Sequence, residues 1–368
     1  MTEKLQIGLI FGGRSGEHEV SLMSARSVMG ALDPARYDIL QIGITHTGEW
    51  LVGEDVLGAF ERNDTHALQP AALLPVPGKT GIYAQDQAGA YTFYGALDVV
   101  IPMLHGTYGE DGTLQGLLEM AEMAYVGAGV LGSAVGMDKG VFRDVMVANN
   151  IPVVETLVVL RSEIQQDLPG VVERAEQELP AYPLFVKPAN LGSSVGVSKC
   201  CNRSDLTEGL LEAARFDRRI LIQQGISARE IEVSVLGNEF PEASLPGEIL
   251  PSREFYSYEA KYIDGQSGLL IPAPLPEALT TRVRELAVRA YQAVDCAGMA
   301  RADFFLDKES GEVYLNEINT IPGFTVISMY PKLWEASGLP YPALLDRLIE
   351  LALERQADRL RTEHRYQR

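Results

Sequence analysis

The sequence is poor in cysteine and in long apolar runs, and each shortage excludes a class of protein. Three cysteines occur in 368 residues, two of them adjacent, and none has CxxC or Cys/His metal-binding spacing. We therefore expect reduced thiols rather than a disulfide framework. The longest largely apolar run, Ala96 to Leu104, is far too short to span a membrane. The first residues also lack the basic flank and apolar stretch of a signal sequence, so we expect a cytoplasmic protein without a membrane partner.

Basic residues are also scarce relative to acidic ones. The chain has 31 Lys and Arg against 50 Asp and Glu, which gives a formal net charge of −19 and a pI near 4.7. Such a surface repels nucleic-acid backbones and anionic lipids, so we predict no nucleic-acid partner. ATP is not excluded, because a few local lysines can bind a nucleotide. The length and the 46% hydrophobic content predict two or three packed units.

Strands alternate with helices in the first third of the chain. Apolar strands are predicted at 5–11, 38–44 and 96–104, with helices from about residue 21 and over 114–121. This alternation predicts an open parallel α/β sheet. The later predicted elements are strands at 183–188, 195–199, 219–224 and 229–236, a long loop at 246–276, a helix at 280–294, and strands at 300–306 and 312–318.

The last two predicted strands carry the strongest chemical signal. The turn DKESGE makes them a hairpin, and alternation along the strand places Glu317 and Asn319 on one face. Centring the turn places Asp303 on the same face, opposite 315–317. Two carboxylates and an amide oxygen suit an Mg²⁺ ion that also binds substrate phosphates. The alternative is a solvated strand face with ordinary polar side chains. The loop NTIPG that follows favours the metal site, because its N–H groups can face a ligand.

A phosphate site is predicted without a P-loop, since no GxxxxGK[ST] motif occurs. Lys187 ends the strand FVKP, and the small residues of NLGSSVG (190–196) allow successive N–H groups to surround an anion. Lys139 in GMDKG adds a second cation. Each feature alone is also compatible with a solvated lysine or an ordinary turn. Together, ahead of the carboxylates, they predict a nucleotide held between two sheets.

The segment GGRSGEHEVS (12–21) lies where a Rossmann phosphate turn would lie, but its glycines do not match GxGxxG. A dinucleotide-dependent oxidoreductase is therefore disfavoured. Glu17 stands at the start of a helix, either as a capping residue or as the partner of a cation such as an amino-acid ammonium. His105 in HGTYGEDG follows a strand at the same sheet edge. It either contacts substrate or has a structural role.

These pieces together resemble the D-alanine–D-alanine ligase family of the ATP-grasp superfamily. The matching stretches, in the family's order, are GGRSGEHEVS, LHGTYGEDG, GMDKG, FVKPANLGSSVGVSK, FYSYEAKY, ARADFFLD and NEINTIPGFTVISMYP. The resemblance implies an α/β protein with an N-terminal open parallel α/β domain (1–127). Two ATP-grasp subdomains of α+β structure follow, a central one (128–223) and a C-terminal one (224–368), and they enclose ATP. It also implies a lid loop at 250–268 and a homodimer.

The resemblance further implies how the nucleotide and metal are bound. Two Mg²⁺ or Mn²⁺ ions would be held by Asp303, Glu317 and Asn319, in agreement with the strand argument. Family members often carry Glu at the position of Gln223, so the details of the adenine contact depend on this difference. The implied ATP-binding residues are Lys139, Lys187, Gly192, Ser193, Ser194, Gln223, Gln224, Ile226, Glu230 for the ribose, and Lys261.

The implied chemistry joins two D-alanines for peptidoglycan synthesis. ATP phosphorylates the carboxylate of the first D-alanine, whose ammonium is held by Glu17 and whose carboxylate lies near His105. The amine of the second D-alanine then attacks the acyl phosphate. The resemblance also implies that Lys261 and Ser328 bind the carboxylate of the second D-alanine. It implies that Arg301 and the Gly323 N–H stabilise the oxyanion. Finally, it implies a hydrogen-bonded triad of Glu17, Ser193 and Tyr262 that closes the lid.

Two alternative functions are compatible with the same fold. A D-alanine–D-lactate depsipeptide ligase is distinguished by Phe at the position of Tyr262, which the resemblance associates with a hydroxyl nucleophile. A non-catalytic nucleotide sensor would be indicated by loss of Arg301, Glu317 or Asn319, and all three are present.

Overall fold

The computed structural model describes residues 4–179, 181–192, 195–250, 268–325 and 327–363. Three β-sheets follow one another along the chain, with strands drawn from 5–125, from 156–224 and from 228–319. Among the described helices, none has the length and apolarity required to cross a membrane.

The first sheet has eight strands in the order β6-β5-β4-β3-β2-β1-β7-β8. Neighbours within the group β2-β1-β7-β8 are parallel, as predicted, whereas β2 to β6 pair antiparallel. A parallel neighbour needs a crossover of about a dozen residues, and the connections 45–49, 74–80 and 86–90 are too short for one; β3 and β4 are antiparallel although the longer segment 53–68 joins them. The strands are β1 (Leu5–Gly12), β2 (Tyr37–Ile44), β3 (Trp50–Val52), β4 (Gln69–Leu73), β5 (Gly81–Gln85), β6 (Tyr91–Ala96), β7 (Val99–Met103) and β8 (Ala124–Tyr125).

Both faces of the parallel part are covered, which explains why β1 reads as a continuous apolar run. Helix α1 (His18–Ala31) begins three residues earlier than predicted and packs against β1. The C-terminal helix α10 (Tyr341–Arg359) returns to the same core, where Leu344 and Leu348 are buried with Ile7 of β1. The other helices before the second sheet are α2 (Val56–Glu61), α3 (Thr113–Met120), α4 (Val130–Met137) and α5 (Lys139–Ala148).

The second sheet is antiparallel, in the order β11-β10-β12-β9. One face carries Val186 and Ile222, which are buried beneath two helices. The next residue along each strand points the other way, so Lys187 and Gln223 lie on the opposite face. The elements are β9 (Thr156–Leu160), α6 (Arg161–Glu178), β10 (Leu184–Pro188), β11 (Ser198–Cys200), α7 (Arg203–Phe216) and β12 (Arg219–Gln224).

The third sheet has the order β16-β15-β13-β17-β18, with β14 beside β13, and all pairs are antiparallel. Its apolar face packs against α5 and α8 in one core. The predicted loop at 246–276 contains two of its strands, and 251–267 lie outside the described residues. The elements are β13 (Ala228–Gly237), β14 (Glu242–Ala243), β15 (Gly247–Leu250), β16 (Gly268–Leu270), α8 (Glu277–Ala293), β17 (Gly298–Asp307), β18 (Val313–Asn319) and α9 (Met329–Ala336).

The predicted hairpin of the last two strands is confirmed, register included. Asp303 pairs directly with Glu317, and Arg301 pairs with Asn319. A bulge next to Asp303 leaves Asn316 as an extra residue on β18. Paired residues of an antiparallel ladder project to the same side, so the polar side chains form one row on the face opposite α8.

Candidate active site

A cavity of about 140 Å³ lies between this polar row and the loops at the edge of the first sheet. It brings together residues that are distant in sequence, including most of the predicted substrate and catalytic positions. The predicted residues that line it are Glu17, His105, Lys139, Gly192, Arg301, Glu317, Asn319, Gly323 and Ser328.

The floor of the cavity is organised around one arginine. The Arg301 guanidinium donates two hydrogen bonds to the Asp303 carboxylate, from Nε to Oδ1 and from Nη2 to Oδ2, each 2.7 Å long. Its Nε also lies 3.0 Å from Oε2 of Glu232, a buried carboxylate on β13 that lines the cavity. Two carboxylates therefore fix the guanidinium from neighbouring strands. Planar, bidentate pairing of this kind holds an arginine in a defined orientation.

Glu232 was not among the residues predicted from the sequence. The signal was present in β13, where Glu230, Glu232 and Ser234 alternate with Ile231 and Val233. Such alternation marks a strand with one apolar and one polar face. The sequence does not show which strand pairs with β13. Only the register of β13 against β17 places Glu232 opposite Asp303.

Of the predicted metal ligands, Glu317 and Asn319 line the cavity, whereas Asp303 lies beside them on the same sheet face without lining it. No group of three His, Cys, Asp or Glu side chains in the described ranges is arranged to hold a metal, and the predicted set is two carboxylates with one amide. Asn319 Oδ1 accepts a hydrogen bond from the Ile321 N–H (3.0 Å). A carboxylate has about four lone-pair positions, so Asp303 retains acceptor capacity beside Arg301. The donor set of Asp303, Glu317 and Asn319 fits a hard divalent cation such as Mg²⁺.

Two lysines stand beside this floor. Lys139 Nζ lies 3.5 Å from Glu317 Oε2 and donates a hydrogen bond to the Leu191 carbonyl (3.1 Å). Lys187 Nζ donates to Gln223 Oε1 at 2.9 Å and lies 3.5 Å from Asn316 Oδ1. Burial, assisted by the charge of Lys139 and opposed by Glu317, lowers the pKa of Lys187 to about 8. A group so poorly solvated gains strongly from an anionic ligand.

A second, smaller cavity continues from the first toward the second sheet. Lys139 lines both cavities, and Lys187 and Gln223 line the smaller one together with Leu221 and Asn316. The other predicted adenine and ribose residues, Gln224, Ile226 and Glu230, line neither. The Gln224 side chain donates instead to the carbonyls of Ala181, Pro183 and Gly225.

Glu17 directs its carboxylate away from the helix that it precedes. Its side chain makes no capping hydrogen bond to α1, so Glu17 is not a hydrogen-bonded cap, although its charge stands at the start of the helix. The carboxylate lies against two glycines instead: a Cβ at Gly192 would be 2.8 Å from Oε2, and one at Gly106 would be 3.0 Å away. A side chain at either glycine would require the carboxylate to shift. Glu17 thus lies where loops from two sheets meet at the cavity.

His105 is buried, and each of its ring nitrogens has a partner. Nδ1 lies 3.0 Å from the Ile321 carbonyl and Nε2 lies 3.0 Å from Ser24 Oγ. Glu110 Oε1, a second cavity carboxylate that sequence reasoning missed, is 3.8 Å from Nδ1. Burial opposes a charge on His105, but Glu110 and Glu17 outweigh it and raise the pKa of the histidine. Burial also raises the pKa of Glu110.

Gly323 and Ser328 lie at the opposite wall. A Cβ at Gly323 would stand 2.8 Å from Ser328 Oγ, so the close approach of this hydroxyl requires glycine. Ser328 Oγ accepts a hydrogen bond from the Thr325 N–H (3.0 Å), and its own N–H donates to the Thr325 carbonyl (3.0 Å). The hydroxyl is thereby fixed at the cavity edge, just before α9.

Four predicted residues lie outside the described part of the chain. They are Ser193, Ser194, Lys261 and Tyr262. The triad, the lid loop and the lysine for the second carboxylate therefore stay predictions.

Comparisons with known proteins agree with this geometry. Residues 6–128 match the family described as D-ala D-ala ligase N-terminus, and residues 145–350 match D-ala D-ala ligase C-terminus. A D-alanine--D-alanine ligase of Thermoanaerobacter sp. (strain X514) is 51% identical over 360 residues, which cover 98% of this chain and 99% of the relative.

Two solved structures of ligases are also similar to this chain. The D-alanine-D-alanine ligase from Coxiella burnetii is 40% identical with a TM-score of 0.81, covering 97% of each chain. The VanG D-Ala:D-Ser ligase from Enterococcus faecalis is 34% identical with a TM-score of 0.84, covering 95% of this chain and 100% of the other. These matches confirm the predicted fold class, and with the two family matches they show that this chain belongs to the D-alanine–D-alanine ligase family.

Proposed function

We propose that this chain joins two D-alanines into D-alanyl-D-alanine at the cavity on the third sheet, with conversion of ATP to ADP and phosphate. The observation that carries the assignment is the row of Arg301, Glu317 and Asn319, which faces Glu17 across one cavity. Asp303 belongs to the same row and is bonded to Arg301, but it does not itself line the cavity. A cationic centre for a developing oxyanion and a carboxylate for an ammonium are the two groups that an amino-acid ligation requires.

The first step activates a carboxylate, which is otherwise a poor electrophile. A carboxylate oxygen of the first D-alanine attacks the γ-phosphorus of ATP, the bond to the β–γ bridging oxygen breaks, and ADP leaves. Lys139, which lines both cavities, and Lys187, which lines the smaller one, offset the charge of the phosphates. Glu17 binds the ammonium, and His105 approaches the carboxylate.

The second step forms the peptide bond. The neutral amine of the second D-alanine attacks the carbonyl carbon of the acyl phosphate, and the Arg301 guanidinium and the Gly323 N–H stabilise the oxyanion. The bond from the carbonyl carbon to the phosphate oxygen then breaks, inorganic phosphate leaves, and the amine loses a proton. Removing one oxyanion donor typically slows such a reaction about 10²–10³-fold. Ser328 and Lys261 bind the carboxylate of the second D-alanine.

Asp303, Glu317 and Asn319 are the residues that would hold Mg²⁺ or Mn²⁺, and we propose two ions. A divalent cation bound there supplies positive charge to the phosphoryl group during transfer. We further propose that the nucleotide is recognised by the residues predicted from the sequence. These are Gly192, Ser193 and Ser194 for the phosphates, Gln223, Gln224 and Ile226 for the adenine, and Glu230 for the ribose.

The wider context of the activity is part of the same proposal. The product serves peptidoglycan synthesis in the cytoplasm, and the active form is a homodimer. We keep the proposed domain division after 127 and 223; it is supported by three sheets that draw their strands from 5–125, 156–224 and 228–319, although strand β12 runs one residue past the second boundary. Tyr262, Ser193 and Glu17 close the 250–268 lid over both substrates and exclude water from the acyl phosphate.

The test is direct. Incubation with ATP, Mg²⁺ and D-alanine is expected to release one phosphate for each dipeptide, and omission of any component is expected to abolish both. L-alanine, D-lactate and D-serine serve as competing substrates in parallel arms. Equal turnover with L-alanine, or a greater yield with D-lactate or D-serine as second substrate, would contradict the proposal.

A further inference from the structure

The oxyanion loop, which we define as residues 321–324, is held at its first residue from two directions. The Ile321 N–H donates to Asn319 Oδ1 (3.0 Å), and the Ile321 carbonyl accepts from His105 Nδ1 (3.0 Å). Both polar backbone groups of Ile321 are therefore fixed, two residues before Gly323. The end of a third-sheet strand holds the N–H, and a loop of the first sheet holds the carbonyl.

The last residue of the oxyanion loop is held by helix α1. The Phe324 N–H points at Ser24 Oγ (3.4 Å), and the Phe324 carbonyl accepts from the Tyr341 hydroxyl (3.1 Å). Ser27, one turn after Ser24, lies 3.2 Å from the same Tyr341 hydroxyl. Residues three apart share a helix face, so one face of α1 supports both backbone groups of Phe324.

Ser24 joins the two ends of the loop through one fully buried hydroxyl. His105 Nδ1 faces a carbonyl and therefore carries a proton, whereas Nε2 accepts in the neutral ring and donates in the charged ring. In either state Ser24 Oγ bonds to Nε2 (3.0 Å) and accepts from the Phe324 N–H. A continuous chain of hydrogen bonds thus runs from Phe324 through Ser24 and His105 to Ile321, and such chains strengthen one another.

We propose that Ser24 is a positioning residue for peptide-bond formation, acting through the oxyanion loop. Ser24 does not line the cavity, so it does not touch the substrates. Its helix begins directly after Glu17, so the same rigid element sets the ammonium partner and the Gly323 N–H. The inference rests on the proposed role of Gly323, because a loop that stabilised no oxyanion would need no such support.

Ser24→Ala removes the hydroxyl and leaves the ends of the loop unconnected. Displacement of a catalytic donor by about 1 Å costs up to about 10²-fold in rate. Because Ser24→Ala displaces the Gly323 N–H without removing it, we expect kcat for dipeptide formation to fall by about 10-fold, which is less than the loss of an oxyanion donor causes. The KM for ATP is expected to stay within about 2-fold, because the nucleotide contacts lie elsewhere.

A second readout separates positioning from general damage. Acyl-phosphate formation can be followed alone by positional isotope exchange in the β–γ bridge of ATP. With Ser24→Ala, the ratio of exchange to dipeptide formation is expected to rise about 10-fold, because peptide-bond formation slows while phosphoryl transfer does not. A variant that was merely less well folded would lose both rates equally and leave the ratio unchanged.

Ser244→Ala is the matched control. Ser244 is also a fully buried serine that accepts a backbone N–H, from Ser234 (3.0 Å), and donates to a carbonyl, of Leu245 (2.9 Å). Its removal leaves an equivalent unpaired N–H at Ser234, and because the hydrogen bonds of Ser244 go to Ser234 and Leu245 instead of the oxyanion loop, the ratio should stay at the wild-type value.

Ser24→Cys keeps the side-chain size with a weaker hydrogen-bonding group and provides a second test if Ser24→Ala does not fold. Its exchange-to-dipeptide ratio is expected between those of wild type and Ser24→Ala. A ratio at or below the wild-type value in a folded Ser24 variant would overturn the inference, as would an equal rise in Ser244→Ala. Absence of dipeptide with the wild-type chain would instead overturn the proposed function.

Discussion

The two faces of the third sheet are built from the same strands and differ in every respect that matters for function. On one face Val233, Ala302 and Phe304 are almost completely buried against α8. On the other, residues one position away carry charge: Glu232 and Asp303 meet Arg301 at 3.0 and 2.7 Å. The comparison shows how a charged site is held in place. Its side chains stand on backbone whose reverse side is anchored in a packed core.

The largest effect is expected from the charged face, at Glu317. Glu317→Gln keeps the side-chain shape but removes a negative charge from the predicted metal site. Metal charge is worth several kcal/mol in phosphoryl transfer, so we expect kcat to fall by at least about 10³-fold. Phosphate release measures the loss, and circular dichroism checks the fold. Glu309→Gln in the exposed turn of the same hairpin is the control. Turnover within a few-fold of wild type for Glu317→Gln would show the metal assignment to be wrong.

Glu232→Gln is expected to have the next largest effect. The change removes one of the two carboxylates that fix Arg301, and a misplaced guanidinium should lower kcat roughly 10- to 100-fold. The KM for ATP should hardly move. Glu242→Gln on the exposed part of β14 is the control. If kcat is unchanged, Asp303 alone is sufficient to orient Arg301.

Raising the pH should weaken ATP binding at Lys187, which belongs to the second sheet and lies 3.5 Å from Asn316 of the third. The pKa of this lysine is about 8 in the free protein, below the unfolded value of about 10.4, so its proton is lost early as pH rises. At saturating D-alanine, kcat/KM for ATP should fall above pH 8, by about 5- to 10-fold at pH 9, because this parameter reports the free enzyme. Lys187→Arg keeps its charge and should give a flat profile in that range, although at lower affinity. A wild-type profile as flat as that of Lys187→Arg would contradict the prediction.

The lowered pKa of Lys187 also makes the stability of the fold depend on pH. As pH rises, stability should increase, whereas ATP binding should weaken. Between about pH 8 and 10.4 the unfolded chain binds the Lys187 proton and the folded chain does not. The contribution of Lys187 therefore increases the free energy of unfolding as pH rises through this window. Urea unfolding of wild type and Lys187→Met at pH 7.5 and 9.5 isolates this contribution, since Lys187→Met should lack the increase.

The smallest change in turnover is expected from the apolar face. Phe304→Leu removes part of a buried side chain and leaves a small cavity, which should reduce the free energy of unfolding by about 1–2 kcal/mol. Because the neighbouring Asp303 points the other way, kcat should stay within about 2-fold at a temperature where the variant is folded. Urea unfolding and phosphate release measure the two quantities. A loss of kcat comparable with that of Glu232→Gln would mean that the two faces are not separable.

Several features of the site were readable from single strands and turns. The alternation in β18 placed Glu317 and Asn319 on one face, and the short turn before it placed Asp303 opposite, because a hairpin register follows from the turn. The capping alternative for Glu17 could not be rejected in this way. A helix start satisfies both interpretations in sequence, and only the contact of its carboxylate with the loop at Gly192 distinguishes them.

The sequence by itself determined the family, the order of the three sheets along the chain and the hairpin with its carboxylates, because these depend on local periodicity and on ordered motifs. Only the tertiary structure decided that Glu232 shares Arg301 with Asp303, that Glu110 lies beside His105, and that Ser24 reaches Phe324, 300 residues away. The physical reason is that the first and third of these contacts join different strands or helices, and the second is made inside one loop that has no regular periodicity. The pattern of the sequence can place a buried acid or serine on a face, but its role is set by the partner that packing places next to it.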